Sequence, residues 1–425
     1  MAQKEKIVIL GGGFAGLNVL KEIDNKKFEV HIVDRNNYHC FPPLFYQVAS
    51  SGLEPTDIAF PFRQRVGKGK FRDTRFHLGE IKEIDYSRRI VITDHEEIRF
   101  DHLVIALGTT NNFFADNSLA NKVYTLKSIG ESLRLRNEII SRCERAAIEK
   151  NPAKRQEMLT FVVIGGGPAG VEVAGALGEL KRYILRREYP EISPSEMTIR
   201  IIEGSPRLLA SMSEKSSKDA LDGLNKLLVD VTLGHVMKSY DGNNVELDDG
   251  TCIKSSLVVW TAGVKAVRIN ITGCDTSSMF GHGGRIITDS CCRVVGLDRI
   301  YAVGDIGIHT DKAIPRGLPQ LAQVAIQQGK YISHCINHNN WSRPFSYDDR
   351  GSMATIGRNK AVADIGRIHF GGWIGWMTWM FVHLVSLMGM RSKMSVLLNW
   401  TWSYFTYNSA LRILLRAPRQ PETEN

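Results

Sequence analysis

The chain has 425 residues, enough for two or three domains with sizeable cores. Its composition, 43% hydrophobic and 23% charged with no low-complexity tract, is that of a globular protein. Seven scattered cysteines without CxxC spacing speak against a zinc site or a disulfide framework and read as reduced thiols in packing positions. The net charge of +9 suits an anionic membrane surface or a polyanionic ligand, and no nucleic-acid recognition motif accompanies it.

The N-terminal Met1-Ala2-Gln3-Lys4-Glu5-Lys6 leads at once into a β-branched run, Ile7-Val8-Ile9-Leu10, so no signal or transit peptide is expected. That strand empties into Gly11-Gly12-Gly13-Phe14-Ala15-Gly16 and then a segment that reads as a helix. Strand, glycine turn and helix together are the context in which such a loop binds a dinucleotide. Gly11 permits the tight turn, Gly13 lets the backbone approach a pyrophosphate, and Gly16 allows close helix–strand packing. The helix N-terminus then offers unpaired N–H groups and a positive dipole end to the phosphates. Asp34 ends the next strand, 18 residues after Gly16, where a carboxylate accepts hydrogen bonds from an adenosine ribose. His102–Leu107 reads as a strand returning to the same sheet.

A second loop of the same form, Gly165-Gly166-Gly167-Pro168-Ala169-Gly170, begins 154 residues after the first. It also follows a β-branched run, Phe161-Val162-Val163-Ile164. Two such loops imply two dinucleotides on one polypeptide, as hydride transfer between cofactors requires. The matching acid is Glu203, 33 residues beyond Gly170, a longer gap that a helix extension and loop around Lys181–Glu196 would absorb. Its charge should repel a 2′-phosphate and so favour NADH over NADPH.

Ser256–Gly263 reads as a buried strand emptying into a turn, and Arg299–Val303 as another, ending at Gly304-Asp305. Glycine there permits close backbone approach, and Asp305 could accept a hydrogen bond from a ribityl hydroxyl of a flavin. Leu318–Lys330 should be a helix starting near Pro319, with Gln323 and Gln327 on one face.

From Gly366 to Pro421 there are six cationic side chains and no acid, with five of the seven tryptophans. Tryptophan and arginine favour the headgroup level of a bilayer. The 20 residues Gly371–Met390 are long enough to be read as a spanning helix, although four glycines and His383 weaken that reading. Beyond them Leu397, Trp400, Tyr404, Tyr407, Leu411 and Leu414 recur at helical spacing, with Asn399, Thr406, Ser409, Arg412 and Arg416 elsewhere on the wheel. The pattern predicts an amphipathic helix lying in the membrane interface.

Over nearly its whole length the chain resembles the type II, non-proton-pumping NADH:quinone oxidoreductases. The resemblance rests on both glycine loops and on Val33-Asp34-Arg35-Asn36-Asn37-Tyr38-His39, Tyr46-Gln47-Val48-Ala49, Val171-Glu172, Trp260-Thr261-Ala262-Gly263-Val264, Ala302-Val303-Gly304-Asp305 and Ala322–Gly329. It implies an α/β fold of two Rossmann-like domains, the NAD domain inserted in the FAD domain, plus a C-terminal membrane-docking and dimerisation region with amphipathic helices. The expected boundaries are 1–115 and 270–335 for FAD, 116–269 for NADH and 336–425 for docking. Gly11, Gly13, Phe14, Ala15, Gly16, Asp34, Arg35, Ile81, Asp305, Ala322 and Gln323 would serve FAD. Gly165, Gly167, Gly170, Glu203 and Gly263 would complete the cofactor sites. Glu172, Gln323 and Gln327 would stand at the reacting centre. The partners implied are a membrane quinone, an anionic lipid surface and a second copy in a homodimer. The expected location is peripheral, on the cytoplasmic face of the inner membrane. Leu107-Gly108 stands where Thr-Gly is frequent and Cys40 where a bulkier residue is common, and neither removes a needed chemical group.

The protons for the quinone could come from Glu172, from the glutamines through water, or from His383. Disulfide oxidoreductases need a close cysteine pair beside the flavin, where only Cys40 stands. Sulfide:quinone oxidoreductases need two cysteines and no NADH site, against Glu203 and the intact second loop. A flavoprotein that binds NADH for signalling, with slow turnover, stays open on motifs alone.

Overall fold

The structure, a computed structural model, describes residues 4–114, 116–406 and 411–415. These divide into two compact units, one from residues 1–40, 59–112 and 264–350 and the other from 41–58, 113–263 and 351–425.

The first unit is built on a five-stranded parallel sheet, in the order Ile300–Ala302, His102–Ile105, Glu5–Leu10, Phe28–Asp34, Thr74–Leu78. Ile7, Val8, Ile9 and Leu10 are fully buried, as expected of a central parallel strand covered on both faces. The helices Phe14–Glu22 and Ala322–His338 pack on one another. A Cβ on Gly329 would stand 2.6 Å from the Ala15 carbonyl oxygen, so glycine is what permits their approach. The second of these helices starts at Ala322 and not near Pro319: the Leu321 amide closes a turn onto the Pro319 carbonyl before the helix begins. A second sheet of four strands, including Ile81–Asp85, lies in the same unit.

The second unit holds a four-stranded parallel sheet, in the order Asp230–Leu233, Thr198–Glu203, Thr160–Ile164, Leu257–Trp260. The helix Pro168–Glu179 continues through a π-helical turn, Leu180–Ile184, to Glu188, which accounts for the long gap before Glu203. Its other face meets an antiparallel meander of Ser352–Gly357, Lys360–Ile365 and Ile368–Phe370. Contact is close enough that a Cβ on Gly175 would lie 2.2 Å from the Ile356 carbonyl oxygen.

Two helices close this unit, Gly372–Ser386 and Met390–Thr406. The first has 15 residues, about 22 Å at 1.5 Å per residue, well short of the hydrocarbon core. Among the described residues no helix is long and apolar enough to cross a membrane, so Gly371–Met390 is not a spanning helix. The second helix is amphipathic on a different face from the one its spacing suggested. Trp400 and Tyr404 turn toward the protein, while Met394, Leu398, Trp402 and Phe405 are exposed. The inward side is fixed by polar contacts: Ser395 and Asn399 both donate to the buried Asp57 carboxylate, at 2.5 and 2.9 Å. Tyr407, Ser409 and Arg416 of the predicted wheel lie outside the described residues.

Candidate active site

The two glycine loops are wired alike. In the first, Gly11 has φ of 94°, a conformation that favours glycine, and turns the chain off its strand. The Gly12 amide donates to Asp34 Oδ2 at 2.7 Å, and the Asn36 amide to Oδ1 at 2.7 Å. In the second, Gly165 has φ of 108°, the Gly166 amide donates to Glu203 Oε2, and the Ser205 amide donates to Oε1 at 2.7 Å. Both acids keep lone pairs for further donors such as ribose hydroxyls. Burial pushes the Asp34 carboxyl up, against the pull of its two backbone donors.

The remaining glycines divide by role. A Cβ on Gly16 would sit 1.9 Å from the Gly11 carbonyl oxygen, and one on Gly170 would sit 1.8 Å from that of Gly165. These positions bring helix and loop into contact. A Cβ on Gly13 or Gly167 would meet no protein atom within 4 Å. Nothing in the protein itself requires glycine at these two positions, which leaves the approach of a ligand as the physical reason for it. The donor set therefore fits a dinucleotide at each loop.

Around the first loop the unit gathers the other predicted residues. Phe14 opens the helix and Ala15 is buried beneath Gly304, where an added Cβ would stand 3.3 Å from that of Ala15. Asp305 follows Gly304 in a tight turn and accepts from Thr109 Oγ1 at 3.3 Å, while its carbonyl accepts from the Gln320 amide at 3.1 Å. Arg35 is exposed beside Asp34, and Ile81 is half-buried at the start of its strand. Two further residues support the loop without having been singled out in the sequence. His39 is buried and donates from Nδ1 to the Gly12 carbonyl at 2.8 Å, with burial pulling its pKa down to about 4. Gln328 accepts the Gly304 amide at 2.6 Å. Both lie inside motifs whose spacing is visible, but their partners are remote in sequence.

Gln323 and Gln327 share a face of the helix starting at Ala322, and their carbonyls hold backbone. Gln327 pairs both ways with Asp348, at 2.8 and 2.9 Å, and Gln323 accepts the Arg350 amide at 3.1 Å. Cys40 is half-buried and its thiol is pushed up to about 12 by burial, so it is not the thiolate that disulfide exchange needs.

In the second unit, Thr261 Oγ1 donates to the Ile164 carbonyl at 2.8 Å beneath the loop, and Gly263 has φ of 86° where the strand ends. Glu172, on the helix opening at Pro168, faces a cleft lined by Tyr46, Gln47, Trp376, Trp379 and Trp400. Burial pushes its carboxyl up to about 8, only partly offset by the Thr355 amide at 3.4 Å. A hydrogen-bonded chain runs along the cleft: Trp400 Nε1 donates to Gln47 Oε1 at 2.7 Å, and Gln47 Nε2 donates to the Tyr46 hydroxyl at 2.8 Å. The tryptophans thus split. Trp379 is 2% exposed and is stacked on His383 at 4.1 Å, so it is no interfacial anchor, whereas Trp373 and Trp402 are exposed. His383 donates to the Trp379 carbonyl at 2.8 Å and burial lowers its pKa to about 4, the state of a packing histidine.

Comparison with known proteins agrees with this geometry. Residues 5–329 match the pyridine nucleotide-disulphide oxidoreductase family and residues 350–406 the NDH2 C-terminal domain. The chain is 33% identical over 419 residues to a type II NADH:quinone oxidoreductase of Mycobacterium tuberculosis, covering 95% of this chain and 89% of that one. It is 27% identical over 439 residues to the mitochondrial internal alternative NAD(P)H-ubiquinone oxidoreductase A1 of Arabidopsis thaliana, covering 95% and 84%. The structure of NDH2 from Plasmodium falciparum in complex with NADH superposes with a TM-score of 0.90 at 21% identity, over 97% of this chain and all of that one. A sulfide:quinone oxidoreductase from Aquifex aeolicus shares the fold at a TM-score of 0.72 and 16% identity, over 95% and 96%.

Proposed function

The chain belongs to the type II NADH:quinone oxidoreductases, and we propose how its own residues divide that reaction. It oxidises NADH and reduces a quinone by two electrons without pumping protons. FAD bound at the first loop would supply the redox chemistry that links NADH to the quinone. The observation that carries the assignment of residues is the repeated wiring, Gly12 to Asp34 and Gly166 to Glu203.

Gly11, Gly13, Gly16, Asp34 and Asp305 hold FAD, with Phe14, Ala15, Arg35, Ile81, Ala322 and Gln323 around it. Gly165, Gly167, Gly170, Glu203 and Gly263 hold NADH. Gln323 and Gln327 position residues 348–350, since their carbonyls accept backbone amides there. Glu172 holds a proton on its carboxyl beside the aromatic cleft and gives it to the reducing quinone. NADH turnover should exceed NADPH turnover at least about tenfold in kcat/KM, because a 2′-phosphate would meet the Glu203 carboxylate; tenfold corresponds to about 1.4 kcal/mol. Steady-state assays with both nucleotides and a short-chain quinone test this: Glu203→Gln should narrow the gap, and equal use of both by the unaltered enzyme would refute it.

The protein is a peripheral membrane protein of which the helix pair 372–386 and 390–406 forms the docking face. Trp373, Ile374, Phe381, Leu398, Trp402 and Phe405 are all more than half exposed there, beside exposed Arg367 and Arg391. Each large apolar side chain that enters lipid contributes about 1.5–3 kcal/mol, and the cations favour an anionic surface. NADH is charged and water-soluble, and we place this face on the cytoplasmic side of the inner membrane, where the nucleotide is at hand. The triple change Phe381→Glu, Trp402→Glu, Phe405→Glu should abolish co-sedimentation with phosphatidylglycerol vesicles and leave NADH oxidation by a water-soluble quinone intact. Undiminished sedimentation would count against the assignment.

A further inference from the structure

A second cleft in the same unit shares Glu179 and Arg358 with the wall of the Glu172 cleft and reaches the helix Ile129–Ile148. Its lining holds three arginines, Arg136, Arg358 and Arg412. Two have partners. Arg412 forms a two-pronged ion pair with Glu188, and Arg358 donates to the Tyr404 carbonyl at 3.1 Å and to Ser403 Oγ at 3.2 Å.

Arg136 differs. Its side chain is 2% exposed, and Nε and Nη1 are buried with no hydrogen-bond partner among the described residues. The nearest carboxylate, Glu54, stands 3.8 Å from Nη1, close enough for attraction and too far for a hydrogen bond. A guanidinium does not lose its proton, so burial cannot neutralise it as it would a lysine. A permanent buried cation with idle donors is costly unless an anion completes it.

We propose that this cleft binds a phosphate group, held by the Arg136 guanidinium with Arg358 adding positive field. Arginine's planar donors suit a phosphate oxyanion. Arg358 adds a second cation to the lining, with its backbone amide donating to Glu179 Oε1 at 2.5 Å. Glu179 lines the cleft too, and burial raises its carboxyl above the usual range, which favours the neutral acid and reduces its repulsion of an incoming anion. Ile139, Leu177 and Leu180 line the same space, leaving an apolar wall for a carbon skeleton attached to the phosphate. A lipid headgroup and free phosphate share this chemistry.

Calorimetric titration of the full-length, FAD-loaded protein distinguishes them, using inorganic phosphate and, separately, short-chain phosphatidylglycerol below its micelle concentration. Saturable binding of at least one probe is expected, weakened about tenfold or more in Arg136→Gln. Tighter binding of the lipid identifies a headgroup site, and equal or better binding of inorganic phosphate identifies a free-phosphate site. NADH bleaching of the flavin at the unaltered rate shows that the variant is folded. Should Arg136→Gln fail to fold, Arg136→Lys carries the comparison, with about threefold weakening expected from loss of the planar donors. No saturable binding of either probe to the unaltered protein, or equal affinity in the variant that folds, overturns the proposal.

Discussion

Gly13→Val should yield a folded protein nearly free of yellow chromophore, whereas Gly167→Val should yield a yellow protein that NADH scarcely reduces. Both positions have extended backbone and open space where a Cβ would stand, so the first added carbon meets no protein atom within 4 Å. What the added methyls would occupy is the approach of a pyrophosphate to the loop backbone. Flavin content on purification should fall about tenfold or more for the first. For the second the KM for NADH should rise by a similar factor, about 1.4 kcal/mol of lost binding. Thermal unfolding of the cofactor-free forms should stay within about 0.5 kcal/mol of the parent, as for a substitution that touches nothing. A reversed pattern, with flavin lost from Gly167→Val and retained by Gly13→Val, would exchange the assignments of the two loops. Gly16→Ala and Gly170→Ala are the contrasting pair. Their Cβ atoms would overlap carbonyl oxygens at 1.9 and 1.8 Å, so they should destabilise the unit that carries them.

Glu172→Gln should leave flavin reduction by NADH unchanged and slow quinone reduction by about 100-fold, the usual scale of a lost general acid. Glutamine keeps the shape and polarity of the buried group and removes the transferable proton. The pH dependence fixes the sign. Burial raises the Glu172 carboxyl to about 8, so it carries its proton below that pH and loses it above. Quinone reduction should therefore be level from about pH 6 to 7.5 and fall with rising pH through about 8, and the glutamine variant should lack this fall. Stability moves the same way: between the ordinary carboxyl value and about 8 the folded state binds more protons than the unfolded, so stability declines as pH rises across that window. Stopped-flow traces of the two half-reactions across pH separate the effects. An unchanged quinone half-reaction in Glu172→Gln would remove this residue from proton delivery.

The parts of the fold that could be read from the sequence are those fixed by local chemistry. The glycine loops announce themselves because strand, tight turn and helix N-terminus occupy consecutive residues, and each carboxylate closes its own strand. The long gap to Glu203 was readable as extra helix, though not that a π turn at Leu180–Ile184 carries it. What escaped depends on remote partners. Trp379 and Trp402 have the same composition signal, and only tertiary packing sends one into the cleft and the other to the surface. The helix of Gln323 and Gln327 was visible, whereas their hold on Asp348 and Arg350 required a chain reversal that no spacing encodes. On the helix 390–406 the buried Asp57 draws Ser395 and Asn399 inward, so the face with polar residues points to protein and an apolar face points out. That inversion supports the proposed docking face, since a solvent-facing surface would carry the polar side outward.

The most direct test follows the flavin absorbance of the purified, full-length protein through one anaerobic cycle. Addition of NADH should bleach the yellow colour within the mixing time of a hand-mixed assay, and addition of a ubiquinone or menaquinone analogue should restore it with one quinone reduced per NADH consumed. A protein that binds no flavin on reconstitution, or that bleaches with NADH and stays bleached in the presence of both quinones, would contradict the account.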